Sequence, residues 1–262
     1  MSRSFFNAFS GIAAYQRSLQ QTADNIANSN TNAYKRSEAS FTELLYGELQ
    51  EKRYSVDPLP GELAPIAGKG THMYPVTKFF DQGPLLLTDR PLDIAIEGRG
   101  YFRIIREDGS EAYTRRGAFY VDPEGSIITD QGEALDVPFN LAGIRADTVV
   151  IGPDGQVVGL NQEGDLVELG QINLYTFVNE GGLFKDSNGL YQATEASGEP
   201  EQGAPGSSPA FGVLRQSFLE GSNVNLAMEM VHLIASQRAL QANVRSLITA
   251  DELKALTLLV RG

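Results

Sequence analysis

A chain of 262 residues, 42% apolar and 21% charged, is long enough to bury a core and too apolar to stay disordered. It contains no cysteine, which excludes disulfides and thiolate metal sites, and its net charge of −12 argues against a phosphate-binding face, so nucleic acid is not an expected partner. Residues 1–50 sum to zero, residues 222–262 to +1, and the residues between carry −13; the ends can pack together while the middle stays in water.

In chain order, the first region has helical periodicity. Phe5, Phe9, Ile12, Gln16, Leu19, Ala23 and Ile26 recur at spacings of four and three, a heptad seam with one polar member. The polar run Asn28-Ser29-Asn30-Thr31-Asn32 ends it, because Asn and Ser bond their own backbone. No apolar run approaches 18 residues, so membrane insertion is not expected, and the basic-then-apolar layout of a cleaved secretory signal is missing. Phe41, Leu44 and Leu45 form a second apolar patch, suited to a short helix or an extended arm. From Gly47 to Val76 the chain holds four prolines and four glycines, a composition for an extended segment rather than a helix or central strand.

The middle, roughly 72–218, reads as β-structure. Tyr101–Arg106 and Ala112–Thr114 flank Asp108-Gly109, and the same grammar recurs at Asp122-Pro123-Glu124-Gly125 and Gly152-Pro153-Asp154-Gly155. Residues 197–209, rich in Gly, Pro, Ser and Glu, suit a surface loop. The last region is helical again: Leu226, Met230, Leu233, Gln237, Leu240, Val244 and Leu247 repeat the four–three spacing, with Ser222 or Asn225 placed to cap the start. The expected fold is mixed α and β, with long terminal α-helices pairing as a coiled-coil-like core around a central all-β domain, an irregular barrel or sandwich. The expected divisions are 1–46 (helical assembly), 47–76 (extended), 77–218 (β) and 219–262 (helical assembly).

No catalytic, cofactor or metal site is expected. His72 and His232 stand alone, Gly68-Lys69-Gly70 and Gly98-Arg99-Gly100 lack the full spacing of phosphate loops, and Asp89, Asp93 and Glu97 fall in or beside an expected strand, where spacing alone leaves a glycosidase-type carboxylate pair open. That pair keeps a carbohydrate-active β-domain enzyme as the alternative of a different class. Amphipathic helices are marginal until their stripes are covered, so the two seams point to assembly. The interface candidates are Phe5, Phe9, Ile12, Leu19 and Ile26 with Leu226, Met230, Leu233, Leu240, Val244 and Leu247.

Asn25-Ile26-Ala27-Asn28, followed by Thr31-Asn32-Ala33-Tyr34-Lys35-Arg36, resembles the N-terminal signature of the flagellar rod and hook family. Ala33 and Tyr34 stand where that family usually has Gly and Phe, a departure confined to the local turn. Glu220-Gly221-Ser222-Asn223-Val224-Asn225, then Glu229-Met230-Val231 and Gln237-Arg238-Ala239, are similar to its other end. Gln82-Gly83, Leu92–Ile96, Gly100-Tyr101-Phe102 and Tyr113-Thr114-Arg115 match the start of its β-domain. The motif residues are Asn25, Asn28, Thr31, Lys35, Gly221, Ser222, Asn223, Val224, Gln237 and Arg238. The resemblance implies a structural subunit of the rod that spans the periplasm, exported through the flagellar type III apparatus without a cleaved signal. It implies self-assembly into a torque-transmitting helical tube, with proximal-rod, hook and ring proteins as neighbours. The extra segment Tyr46–Val76 points to the distal rod; a proximal-rod or hook-type member of the family is the alternative.

Overall fold

The computed structural model describes residues 3–43, 47–48, 66–67, 71–73, 76–186 and 188–261. The chain forms two compact units. One comprises Asn28–Arg36 and Phe79–Val224; the other comprises Met1–Ala27, Ser37–Lys78 and Asn225–Gly262.

The first unit is the expected central β-domain, and one local device builds much of it. At Arg106, Asp122, Thr129, Gly152, Asn161 and Asp186 the chain makes the same turn. The amide of that residue donates to the carbonyl four positions on, and the amide of a glycine three positions on donates back to it. This is the three-residue hairpin loop: a type I turn followed by a left-handed residue. Asp122 shows why the sequence folds so, since its Oδ1 accepts the amides of Glu124 at 3.0 Å and Ser126 at 2.7 Å. Gly125 then supplies the positive φ of 87° that any side chain would resist.

These hairpins stack into open antiparallel sheets. The largest runs Phe119–Val121, Ile127–Thr129, Ala134–Leu135, Phe102–Ile105, Glu111–Thr114, Tyr191–Gln192, Phe184–Lys185. A second contains Val150–Ile151, Gln156–Leu160 and Leu166–Gln171. Two-stranded ribbons join Ile94–Glu97 to Val213–Gln216, and Leu85–Leu87 to Phe218–Glu220. Alternating side chains from these strands meet in one core around Ile94, Ile96, Phe102, Ile104, Phe119 and Leu214. Burial of each is worth about 1.5–3 kcal/mol before entropy. A second cluster holds Tyr101, Tyr113, Tyr175, Phe177, Leu183 and Tyr191, with Tyr113 edge-on to Phe177 at 4.9 Å.

The second unit departs from expectation. It holds α1 (Arg3–Ala27) and α2 (Leu226–Arg261), together with six short strands among the described residues. Asn225 caps α2, its Oδ1 accepting the amide of Met228 at 3.2 Å. Strands Phe41–Glu43 and Thr71–Met73 pair antiparallel, and Gly47–Glu48 pairs with Ile66–Ala67 between them. Most of 47–76 otherwise lies outside the described residues.

Long terminal helices pairing as a coiled-coil-like core are not what is found. These are the only two helices of more than three residues among the described residues; the chain is otherwise mainly strand and turn. The apolar seams do not close on each other: Phe9 is 60% exposed, Met230 49% and Val244 39%. Where α1 meets α2, the contacts are small and polar. A methyl on Gly11 would lie 3.1 Å from Asn243 Nδ2, Ser18 Oγ is 3.1 Å from Ser236 Oγ, and Asn25 Nδ2 donates to Glu229 Oε2 at 3.2 Å. These positions recur every seven residues on both helices, in opposite directions. The face that α1 buries, marked by Ala14, Thr22 and Asn25, is therefore rotated by about one residue, roughly 100°, from the seam of large apolar residues. Small residues let the backbones approach, and the bulky ones are displaced to the flank.

Candidate functional site

Within the β-domain, the family-motif residues gather around one buried carboxylate. Residues 28–36 make a compact turn. Thr31 bonds Asn28 twice, through its amide to the carbonyl at 3.1 Å and its hydroxyl to Oδ1 at 3.2 Å; Ala33 adopts a φ of 56°. The amide of Ala33 donates to the carbonyl of Glu220 at 2.8 Å. This turn delivers Lys35, whose ammonium reaches Glu220 Oε1 at 2.6 Å and the carbonyl of Asp81 at 2.8 Å.

Arg115 approaches from the other side. Its Nε donates to Glu220 Oε2 at 2.9 Å and its guanidinium also donates to the carbonyl of Gly98 at 2.7 Å. The side chains of Glu220, Lys35 and Arg115 are 0, 1 and 3% exposed. Gly83 completes the shell by donating its amide to Glu220 Oε1 at 3.0 Å. A methyl on Gly83 would sit 2.1 Å from the carbonyl oxygen of Gly221, so only glycine allows this approach. Burial pushes the Glu220 carboxyl up, but Arg115 and Lys35 overcome that and hold it below its usual value. Burial, with Arg115 second, lowers the Lys35 ammonium against the pull of Glu220.

Asn223 ties the same segments through the backbone. Its Oδ1 accepts the amide of Arg36 at 2.6 Å, and its Nδ2 donates to the carbonyls of Phe79 and Asp81 at 2.9 and 3.0 Å. Gly221 donates to the carbonyl of Pro84 at 2.8 Å, and Ser222 Oγ accepts the amide of Val224 at 3.3 Å. Three stretches far apart in sequence are thus sewn into one knot, and an open cavity of about 510 Å³, lined by Asp81, Gln82, Gly98, Arg99, Arg115 and Glu180, lies beside it. The three charges bond one another and backbone carbonyls, an arrangement that holds geometry.

In the helical unit, Asn25 acts as a strand would. It donates to the carbonyl of Ser37 at 2.8 Å and accepts the amide of Ser37 at 3.1 Å, while also reaching Glu229. Gln237, Arg238 and His232 lie exposed on α2. Of the interface candidates, Ile12, Leu19, Ile26, Leu233, Leu240 and Leu247 are half-buried, whereas Phe9, Leu226, Met230 and Val244 are exposed; the Phe5 side chain lies outside the described residues, as does that of His72. Asp93 pairs with Arg90 at 3.4 Å and Glu97 with Arg215 at 2.6 Å. Sequence reasoning quoted Glu220 and Arg115 inside motif stretches without seeing them as partners. The available signal was a lone Glu at the end of the apolar strand Phe218–Glu220, where a charge must be paired.

Two independent matches define the class. Residues 95–159 fit the family described as flagellar hook protein FlgE/F/G D1 domain, and residues 215–257 fit flagellar basal body rod FlgEFG protein C-terminal. A β-domain and a motif knot of this kind thus mark a flagellar axial protein. The chain is 37% identical to the flagellar basal-body rod protein FlgG of Agrobacterium fabrum, over 95% of each chain. It is 37% identical to that of Caulobacter vibrioides over 97% of this chain and 98% of the relative, and 33% to that of Bacillus subtilis over 97% of each. The chain belongs to the FlgG family of flagellar basal-body rod proteins. It is a structural component of the flagellar basal body, in a family without enzymatic function.

Proposed function

We propose that the chain is the distal-rod subunit, a helical homopolymer in which neighbouring copies cover the apolar flank of α2 and so transmit torque. The observation that carries this is an uncovered stripe. Leu226, Met230, Ile234, Val244 and Ile248 are 39–55% exposed and fall within about 80° of one another around a helix turning 100° per residue. Apolar stripes of that length on a soluble protein mark contact with protein or membrane, and no described helix is long and apolar enough to cross a membrane. A heterologous contact repeated by a rotation that does not close gives a helical tube. Phe9 of α1 is likewise exposed, at 60%. Proximal-rod, hook and ring proteins and the flagellar export apparatus complete the proposed set of partners.

Two variants test it. Ile234→Asp and Val244→Asp place a carboxylate in the covered stripe, where it cannot ionise cheaply. They are expected to abolish swimming and rod completion while the β-domain keeps its circular dichroism. Normal motility in both would overturn the reading. Residues 47–76 are proposed to stiffen the tube; deleting 54–70 should give rods that bend or misassemble in electron micrographs, and straight, stiff rods would refute that role.

A further inference from the structure

The sheet of Val150–Ile151, Gln156–Leu160 and Leu166–Gln171 breaks the pattern of a solvated antiparallel sheet. Its inner face follows the rule, with Ile151 and Val157 buried in the core. Its outer face should then be polar. Instead Val150 stands directly opposite Val158, and Leu160 directly opposite Leu166. Val150 is 55% exposed and Leu166 73%, while Val158 and Leu160 are half-buried beside them. Cross-strand register makes these four one strip rather than scattered residues. The rim is polar: Glu168 lies opposite Val158, and Arg145, whose amide donates to the carbonyl of Leu160 at 3.1 Å, pairs with Asp147 at 2.9 Å. An apolar centre with a charged rim is the anatomy of a protein contact.

We infer that this outer face is a second contact surface for another copy of the chain, a deepening that rests on the rod-polymer reading above. Size selects the occupant. Four such side chains expose on the order of 300 Å², well under the roughly 800 Å² per partner that a stand-alone specific complex uses. A partner held here alone would fall off. A second copy already tethered through other contacts meets the face at high effective concentration, so a small patch suffices. The isolated chain is accordingly expected not to dimerise through it.

The test places a photoreactive benzophenone amino acid at position 150, 166 or 244 of the full-length chain in flagellate cells that make no other copy. Position 163, in the polar turn between the second and third strands, serves as control. Ultraviolet light is expected to give multimers of the chain from 150 and 166, as from 244 on α2, and none from 163. Multimers from 244 without any from 150 and 166 would overturn this inference and leave the polymer intact. Cross-links from 150 or 166 to a different protein would overturn it too. Silence at all four positions would sink the polymer reading itself, and this inference with it. A second variant, Val150→Glu with Leu166→Glu, should cut completed flagella about tenfold, equivalent to a loss of about 1.4 kcal/mol, with an unchanged thermal midpoint. Wild-type flagellar number in that variant would contradict the proposal.

Discussion

At the residue scale, Glu220 carries the stability of the motif knot. Replacing it by Gln leaves Lys35 and Arg115 buried without a counter-charge, and removing one member of such a group costs about 3–5 kcal/mol. Its pH dependence follows from the lowered carboxyl. Above the unfolded value of about 4.3 the contribution is complete; in acid the unfolded chain takes up the proton first, and stability falls as pH drops through the folded value. Unfolding of wild type between about pH 5 and pH 2 should therefore be steeper with pH than that of Glu220→Gln. Equal slopes would mean that the carboxylate is not paired as described. Ala33 gives the opposite prediction. A φ of 56° strains any residue with a Cβ, so Ala33→Gly should stabilise the chain by about 1 kcal/mol and raise its melting point by about 2–4 °C. The family resemblance had marked that position as a glycine site, and only the backbone angle shows why.

At the scale of elements, the hairpin turns explain both what the sequence revealed and what it concealed. Asp108-Gly109, Asp122–Gly125 and Gly152–Gly155 were readable because Asp, Pro and Gly announce a turn. The turns starting at Thr129, Asn161 and Asp186 use the same hydrogen bonds, but at Thr129 and Asn161 the glycine is preceded by Asp130-Gln131 and Gln162-Glu163, with neither a proline nor an Asp-Gly pair to announce the turn. The turns also differ in tolerance. A methyl on Gly125 would lie 2.1 Å from Asn140 Oδ1 and 2.3 Å from the Ala142 amide, whereas one on Gly109 meets nothing within 4 Å. Gly109→Ala should cost only the backbone strain, about 1 kcal/mol, and Gly125→Ala appreciably more, measured by urea unfolding. Equal losses would show that the crowding around Gly125 relaxes. In the helices, periodicity located α1 and α2 but misjudged their contact, because counting large apolar residues cannot see a seam made of Gly11, Ser18 and Asn25. A polar, closely approached contact gains little from burial and much from register.

For the whole molecule, the division of charge is the feature most visible beforehand. The unit containing both helices sums to zero and the β-domain carries the entire −12. A neutral unit with an uncovered apolar flank is suited to close packing among copies, and an acidic unit to facing water. What no single chain could disclose is which apolar residues serve the fold and which serve the polymer, since both look alike in sequence; exposure in the folded chain separates Met230 and Val244 from Leu233 and Leu240. The most direct test of this account is a helical reconstruction of the assembled rod by electron cryomicroscopy at side-chain resolution. The account predicts that Met230, Ile234, Val244 and Ile248 are buried against other copies of the chain. A rod in which that stripe faces solvent, with copies joined elsewhere, would contradict it.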